Sequence, residues 1–227
     1  MKLEQTADGS YTLYVPELDE HYHSVKGALT ESQHIFIEMG LKHSPVSEPH
    51  ILEIGLGTGL NAFLTLLSAE ETRRKVHYTG IERYPLAEET LKQLDYPRLI
   101  GKQHEEDYYA IHRAPWNTET EVSPWFTLHK IEDDFTRLFN PVEGSRPAVP
   151  LYDIVYFDAF APDKQPEMWE HSLSDPLYKE LNAEDILTTY CAKGVVRRML
   201  QTAGFTVERL PGPPGGKREI LRATKSD

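Results

Sequence analysis

The stretch Ile51-Leu52-Glu53-Ile54-Gly55-Leu56-Gly57-Thr58-Gly59-Leu60 narrows the folds open to this chain more than any other. A short apolar run carries an acid, three alternating glycines follow, and Ala62, Phe63, Leu64, Leu66 and Leu67 continue with helical spacing. That is a strand, a tight turn and a helix, the opening unit of a layered α/β sheet. Glycines permit a sharp turn bare of side chains, so backbone N–H groups and the positive helix end can approach a ligand closely. Dinucleotide sites use a related turn, with the third glycine usually one residue later. Glu53 argues for another ligand, because an acid beside the glycines repels a pyrophosphate but accepts hydrogen bonds from a neutral or cationic group. S-Adenosylmethionine, zwitterionic at its amino-acid end and positive at sulfur, meets that requirement. The glycines alone also suit an ordinary strand-to-helix turn.

Further acids follow at strand ends. Val76–Glu82 reads as a second strand, and in an open parallel sheet Glu82 stands on the same rim as the glycine loop, where it can take both ribose hydroxyls. Phe126–Ile131 reads as a third strand, followed by Glu132-Asp133-Asp134; one of these acids can accept from an adenine amino group, or the trio only favours a helix start. Tyr152–Phe157 is a fourth strand, and Asp158 leaves it directly into the loop Ala159–Pro166. Phe160 and Trp169 offer rings for stacking on a base or for anchoring the core. A fifth strand (Ile186–Tyr190), a helix (Gly194–Leu200), a sixth strand (Gly204–Arg209) and a Pro-Gly loop lead through Lys217 and Arg218 to a last strand at Ile220-Leu221. Residues 1–45 read as a small N-terminal appendage with a hairpin turn at Ala7-Asp8-Gly9-Ser10 and a helix starting near Thr30-Glu31-Ser32. Residues 46–227 form the main domain, with a helix–loop insertion near 95–124.

A length of 227 residues suits one well-filled core. The N-terminus lacks a hydrophobic export segment and no stretch has the apolar length of a membrane span, so a cytoplasmic protein without membrane partners is expected. A single cysteine, Cys191, excludes an intrachain disulfide, and the histidines show no spacing that specifies a metal. The net charge of −12 argues against a chain-wide nucleic-acid surface but not a local one. Lys193, Arg197, Arg198, Arg209, Lys217, Arg218, Arg222 and Lys225 face only Glu208, Glu219 and Asp227 in the last portion, which is either a footprint for an anionic substrate or a solvated face.

The glycine turn and the third-strand acid resemble the class I S-adenosylmethionine-dependent methyltransferases, whose fold is a Rossmann-like, seven-stranded, mostly parallel sheet with an antiparallel last strand. The chain is also similar to the methyltransferase part of the bifunctional bacterial enzymes that complete 5-methylaminomethyl-2-thiouridine at the tRNA wobble position. The resemblance runs through Ala7–Ser10, Tyr22–Phe36, Glu53–Gly59, Gly194–Arg198 and Gly216–Glu219, and its specific signal is Asp158-Ala159-Phe160-Ala161-Pro162-Asp163-Lys164-Gln165-Pro166-Glu167-Met168-Trp169. It implies that Glu53, Gly55, Gly57 and Gly59 hold the methionine end of the cofactor, that Glu82 binds its ribose, and that Asp134 lies on its adenine side. It places Asp158 at the methyl-transfer centre. The chain departs from the family at Ala159, at Gln165 and at Glu184-Asp185, where glycine, asparagine and a Gly-Gly turn are usual.

The expected reaction is methylation of the 5-aminomethyl nitrogen of a wobble uridine in tRNA. The larger family members carry an FAD-dependent oxidoreductase domain that finds no counterpart in this sequence, so an enzyme supplying the 5-aminomethyl group is an expected functional partner. A primary ammonium must lose a proton before attack, and Asp158 can position the amine or relay that proton. Ordinary carboxylate acidity favours positioning. Phe160 is expected to support the extruded base, and Lys164, Arg197, Lys217 and Arg218 to hold substrate, the last three through phosphates. Two alternatives remain in the sequence: an S-adenosylmethionine-dependent N-methyltransferase of a small amine or protein side chain, and a noncatalytic Rossmann-like binding protein.

Overall fold

The computed structural model describes residues 1–139 and 151–226. Three short strands, β1 (Lys2–Gln5), β2 (Tyr11–Val15) and β3 (Glu20–His21), form an antiparallel sheet of their own. Helix α1 (Ala28–Ser32) continues into a π-helical segment, Gln33–Leu41. β4 (His50–Ile54) passes through the glycine turn into α2 (Leu60–Thr72), and β5 (Val76–Glu82) follows. Next come α3 (Glu88–Leu94), α4 (Pro97–Ile100), α5 (Glu105–Arg113), β6 (Glu119–Ser123), β7 (Phe126–Glu132) and α6 (Phe135–Leu138). The remaining elements are β8 (Tyr152–Phe157), α7 (His171–Lys179), β9 (Leu181–Thr189), α8 (Gly194–Ala203), β10 (Phe205–Pro211) and β11 (Glu219–Lys225).

The main sheet has eight strands in the order β10-β11-β9-β8-β4-β5-β7-β6. β7, β5, β4, β8 and β9 run parallel, and β11 is antiparallel to both β9 and β10. The seven expected strands are therefore present with the last reversed. The eighth, β6, pairs antiparallel at the edge with β7 and comes from the stretch expected to be helix and loop. Its exposed Glu119 and Glu121 give it little strand character in sequence, and charge of this kind blunts an edge against further pairing.

Alternation along the strands divides the core into two layers. Ile51, Tyr78, Phe126, Leu128, Ile154 and Tyr156 pack towards α2, α5 and the π-helical segment. Leu52, Ile54, Val155, Phe157, Leu187 and Leu221 face α7 and α8. Glu53 shares the parity of Ile51, so it points into the first layer and not onto the rim. The N-terminal hairpin is tied to α1 by Asp8, whose carboxylate accepts from the backbone N–H groups of Ser10 at 3.0 Å and Thr30 at 2.9 Å. Burial alone would raise the Asp8 pKa, yet hydrogen bonds from Ser10, Thr30 and Thr6 hold it below the ordinary range. That link starts the helix at Ala28, two residues before the start expected from sequence.

Strand β9 is irregular where the usual Gly-Gly turn is replaced. Tyr152 pairs with Leu181 and Ile154 with Ile186, so residues 182–185 bulge, and Glu184 takes a φ of 68°. Among the described residues no helix is long and apolar enough to cross a membrane.

Candidate active site

The chain order turns back between β4 and β8, and at such a switch point the loops after the strands open a crevice. Hydrogen bonds fix the rim: Gly55 N–H donates to Ile81 O at 3.1 Å, and Asp158 N–H to Ile54 O at 3.0 Å. Glu82 and Glu132 pair across β5 and β7. The ends of β8, β4, β5 and β7 thus set Asp158, the glycine turn, Glu82 and Asp134 around one cavity of about 320 Å³. Phe160 and Lys217 also line it; Glu53, Gly59, Lys164, Arg197 and Arg218 do not.

The glycine turn works differently from its sequence reading. Gly55, Gly57 and Gly59 all have positive φ (88°, 51° and 70°), but the space a side chain would need is taken by the protein itself. A Cβ on Gly55 would lie 2.7 Å from Asp158 O, one on Gly57 3.0 Å from the Tyr22 ring, and one on Gly59 2.7 Å from His112. The N–H groups of Gly55, Leu56, Gly57 and Gly59 are also engaged internally. The glycines therefore let the fourth-strand loop, the N-terminal segment and α5 close on the turn. The turn still presents Gly55–Thr58 to the cavity, and Thr58 Oγ lies 2.8 Å from Nε2 of buried His23. Burial pushes the His23 pKa down to about 4, so the ring is neutral.

Glu53 is likewise corrected. It is 0% exposed, accepts from Tyr78 OH at 2.7 Å and from Asn61 Nδ2 at 2.8 Å, and burial raises its pKa well above the carboxylate range. The same Asn61 amide donates to Asp158 Oδ2 at 2.9 Å. Glu53 thus anchors the residue that orients Asp158, one layer below the ligand surface. Burial first, and the nearby charge of Glu31 second, push the Asp158 carboxyl up to about 7 against the Asn61 hydrogen bond and the Lys217 charge. The ordinary acidity expected from sequence does not hold here.

Glu82 accepts from Gly57 N–H at 2.9 Å and from Tyr84 N–H at 2.8 Å, one bond to each oxygen, which leaves acceptor capacity on both. Asp134 is a helix cap: Oδ1 accepts from the N–H and hydroxyl of Thr136 at 2.9 and 2.7 Å, and Oδ2 pairs with Arg83 at 2.8 Å. Of the two readings open for this acid, the helix start describes its present bonds. Trp169 belongs to the core, with its indole N–H on Phe160 O at 2.8 Å, while Phe160 meets Tyr22 edge to face.

The basic cluster is largely neutralised. Lys193 pairs with Asp163, Arg209 with Glu219, Arg222 with Glu208 and Lys164 with Asp19, while the Lys225 ammonium donates to Leu181 O. Lys217 turns inward to Glu31 at 2.6 Å and does not present itself to a phosphate. Arg197 is half-buried on α8, and Arg198 and Arg218 are exposed. Sequence reasoning passed over Glu31, His23, Asn61 and Tyr190, all of which meet in or beneath the cavity. The one signal for the first two was the resemblance over Tyr22–Phe36.

Residues at this rim fit S-adenosylmethionine: a carboxylate with spare acceptor capacity stands beside a turn that lines the cavity, and Ile81 and Phe135 add apolar wall between Glu82 and Asp134. Strand order, the reversed last strand and the acid ending the second strand define a class I S-adenosylmethionine-dependent methyltransferase. The family model described as S-adenosyl-L-methionine-dependent methyltransferase matches residues 136–226. The tRNA 5-methylaminomethyl-2-thiouridine biosynthesis bifunctional protein MnmC of Cupriavidus metallidurans is 31% identical over 222 residues, covering 93% of this chain and 32% of that protein. Its counterpart in Magnetococcus marinus is 31% identical over 220 residues, with the same coverage of 93% and 32%. The chain spans about a third of the length of these curated relatives. The crystal structure of MNMC2 from Aquifex aeolicus matches with a TM-score of 0.77 at 26% identity, covering 100% of this chain and 71% of that one. Over almost its whole length the chain is thus similar to the methyltransferase part of the MnmC proteins.

Proposed function

We propose that this protein transfers a methyl group from S-adenosylmethionine to the 5-aminomethyl nitrogen of a wobble uridine in tRNA, with Asp158 accepting the amine's proton. The observation that carries this reading is Asp158 itself, a cavity-lining carboxyl held by Asn61 at 2.9 Å and pushed up to about 7. The names of the MnmC relatives supply the nucleoside. When bound, the cofactor supplies an electrophilic methyl on its sulfonium. Glu82 takes the ribose hydroxyls, Gly55–Thr58 frame the amino-acid end, and the Asp134 side of the cavity takes the adenine.

An alkyl ammonium carries no lone pair, so its proton must leave before the nitrogen can attack. A carboxylate near 7 is about half ionised at neutral pH and a stronger base than one near 4, and its fixed position makes the encounter effectively unimolecular. Phe160 and Tyr22 offer aromatic edges and faces to a planar base. Arg198 and Arg218, exposed at the C-terminal side, are the side chains proposed for RNA phosphates. The amine itself has to come from an enzyme acting earlier on the same tRNA.

The test is methyl transfer to tRNA from cells lacking this modification step, read by nucleoside mass analysis. The proposed function requires one added methyl on the 5-aminomethyluridine. Methylation of small amines with none on tRNA would move the activity to the small-amine class, and no transfer at all would leave a binding protein.

A further inference from the structure

Glu31 lies on α1 and is almost fully buried, yet it carries a charge that the methyl-transfer chemistry has not used. Its Oε1 accepts from Ser24 N–H at 3.1 Å, and its Oε2 faces the Lys217 ammonium at 2.6 Å. Lys217 arrives from the far end of the chain, on the loop between β10 and β11 after exposed Gly215 and Gly216. Its ammonium also stands 4.3 Å from the centroid of the Tyr190 ring. The ring is fixed by its hydroxyl, which donates to Ala159 O at 2.8 Å. A buried carboxylate and an aromatic face converging on one primary ammonium are what a protein builds to recognise an alkylamine. Here the amine is the chain's own. Glu31, Lys217 and Tyr190 line the same cavity as Asp158, and the charges of Glu31 and Lys217 both act on the Asp158 carboxyl.

We infer that Glu31 and the Tyr190 ring form the seat for the substrate's primary ammonium, and that Lys217 occupies this seat until the substrate displaces it. The inference rests on the amine-methylation reading above. Exchange of one ammonium for another keeps the buried Glu31 paired throughout, whereas a uridine without the aminomethyl group brings no replacement and leaves Lys217 in place. The arrangement selects tRNA already carrying the amine, and it sets that amine beside Asp158. Phosphate binding by Lys217, expected from sequence, has the opposite consequence for a neutral variant.

The experiment compares two tRNAs, one with 5-aminomethyl and one with unmodified uridine at the wobble position, on the full chain with Lys217→Met and Glu31→Gln. Cofactor affinity by calorimetry serves as a check on folding. Lys217→Met should tighten binding of the amine-bearing tRNA by about threefold or more and leave the unmodified tRNA unchanged, because the competing ammonium is gone. Glu31→Gln should raise KM for the amine-bearing tRNA by about tenfold or more, since a hydrogen bond to a charged group is worth about 1.5–3 kcal/mol, and should move the pH profile of kcat towards lower pH as the Asp158 carboxyl loses a neighbouring negative charge. Tyr190→Leu, which removes the aromatic face, should lose affinity for the amine-bearing tRNA alone. Equal weakening of both tRNAs by Lys217→Met with a flatter salt dependence would make Lys217 a phosphate contact and overturn the seat. No change in either tRNA would overturn it too. Failure of the wild-type protein to methylate the amine-bearing tRNA would count against the proposed function itself and is read separately.

Discussion

Gly55→Ala isolates what the glycine turn is for. The new Cβ would stand 2.7 Å from Asp158 O and 3.3 Å from the carbonyl carbon, at a backbone φ of 88°. That neighbour is main chain, pinned by Asp158 N–H on Ile54 O at 3.0 Å, so it cannot yield as a flexible side chain would. Gly215→Ala is the control: its φ is 71°, and nothing lies within 4 Å of the added atom. Both variants carry a left-handed alanine, costing about 1–2 kcal/mol, offset by about 0.4–1 kcal/mol from the stiffer unfolded chain. Gly215→Ala should therefore cost up to about 1.6 kcal/mol. Overpacking against the Asp158 carbonyl adds about 1–3 kcal/mol, so Gly55→Ala should cost that much more than the Gly215→Ala control. Urea unfolding with an unchanged m-value measures the difference. Costs equal within about 0.5 kcal/mol would refute the claim that the turn is glycine-rich because the Asp158 loop closes on it.

Glu82→Ala should weaken S-adenosylmethionine binding by about 1.5–3 kcal/mol in calorimetry, whereas Glu53→Gln, one layer below, should change it by well under half of that; equal losses would return Glu53 to the ligand surface. Glu184→Gly relieves a φ of 68° at the β9 bulge and should raise stability by up to about 1 kcal/mol in urea unfolding, after the entropy cost of a freer unfolded chain. Arg218→Ala should reduce the salt slope of tRNA binding by about 0.7–0.9, as expected for one phosphate contact, and an unchanged slope in filter binding would remove it from the interface.

The parts of this fold that lie in local chemistry were legible in the sequence. Apolar runs ending on Glu82 and Asp158, with Gly55–Gly59 between strand and helix, placed the strand ends, and those ends set the cavity. Strand β6 was not legible, because Glu119 and Glu121 mask its alternation and its pairing partner β7 supplies what the sequence lacks. Glu53 was misread for lack of a parity argument: it alternates with Leu52 and Ile54, so its side chain enters the α2 layer, where Tyr78 and Asn61 receive it. The acidity of Asp158 depends on burial and on Glu31, 127 positions away in the chain, which no local pattern reports. Lys217 belonged to a basic stretch in sequence, but its partners, Glu31 on α1 and Tyr190 directly after β9, meet it only in the folded chain.

The central claim is that Asp158 takes the proton from the reacting amine, and single-turnover methyl transfer to amine-bearing tRNA between pH 6 and 8, at saturating cofactor, tests it most directly. A carboxyl raised to about 7 is protonated below that pH and cannot accept, so the wild-type rate should climb through about pH 7 as the proton leaves. Asp158→Asn keeps the shape and the neighbourhood of Asn61, but its neutral amide cannot accept a proton, so its rate should fall by about 100-fold or more and lose that inflection. A wild-type rate in the asparagine variant, or the same inflection in both proteins, would contradict the account.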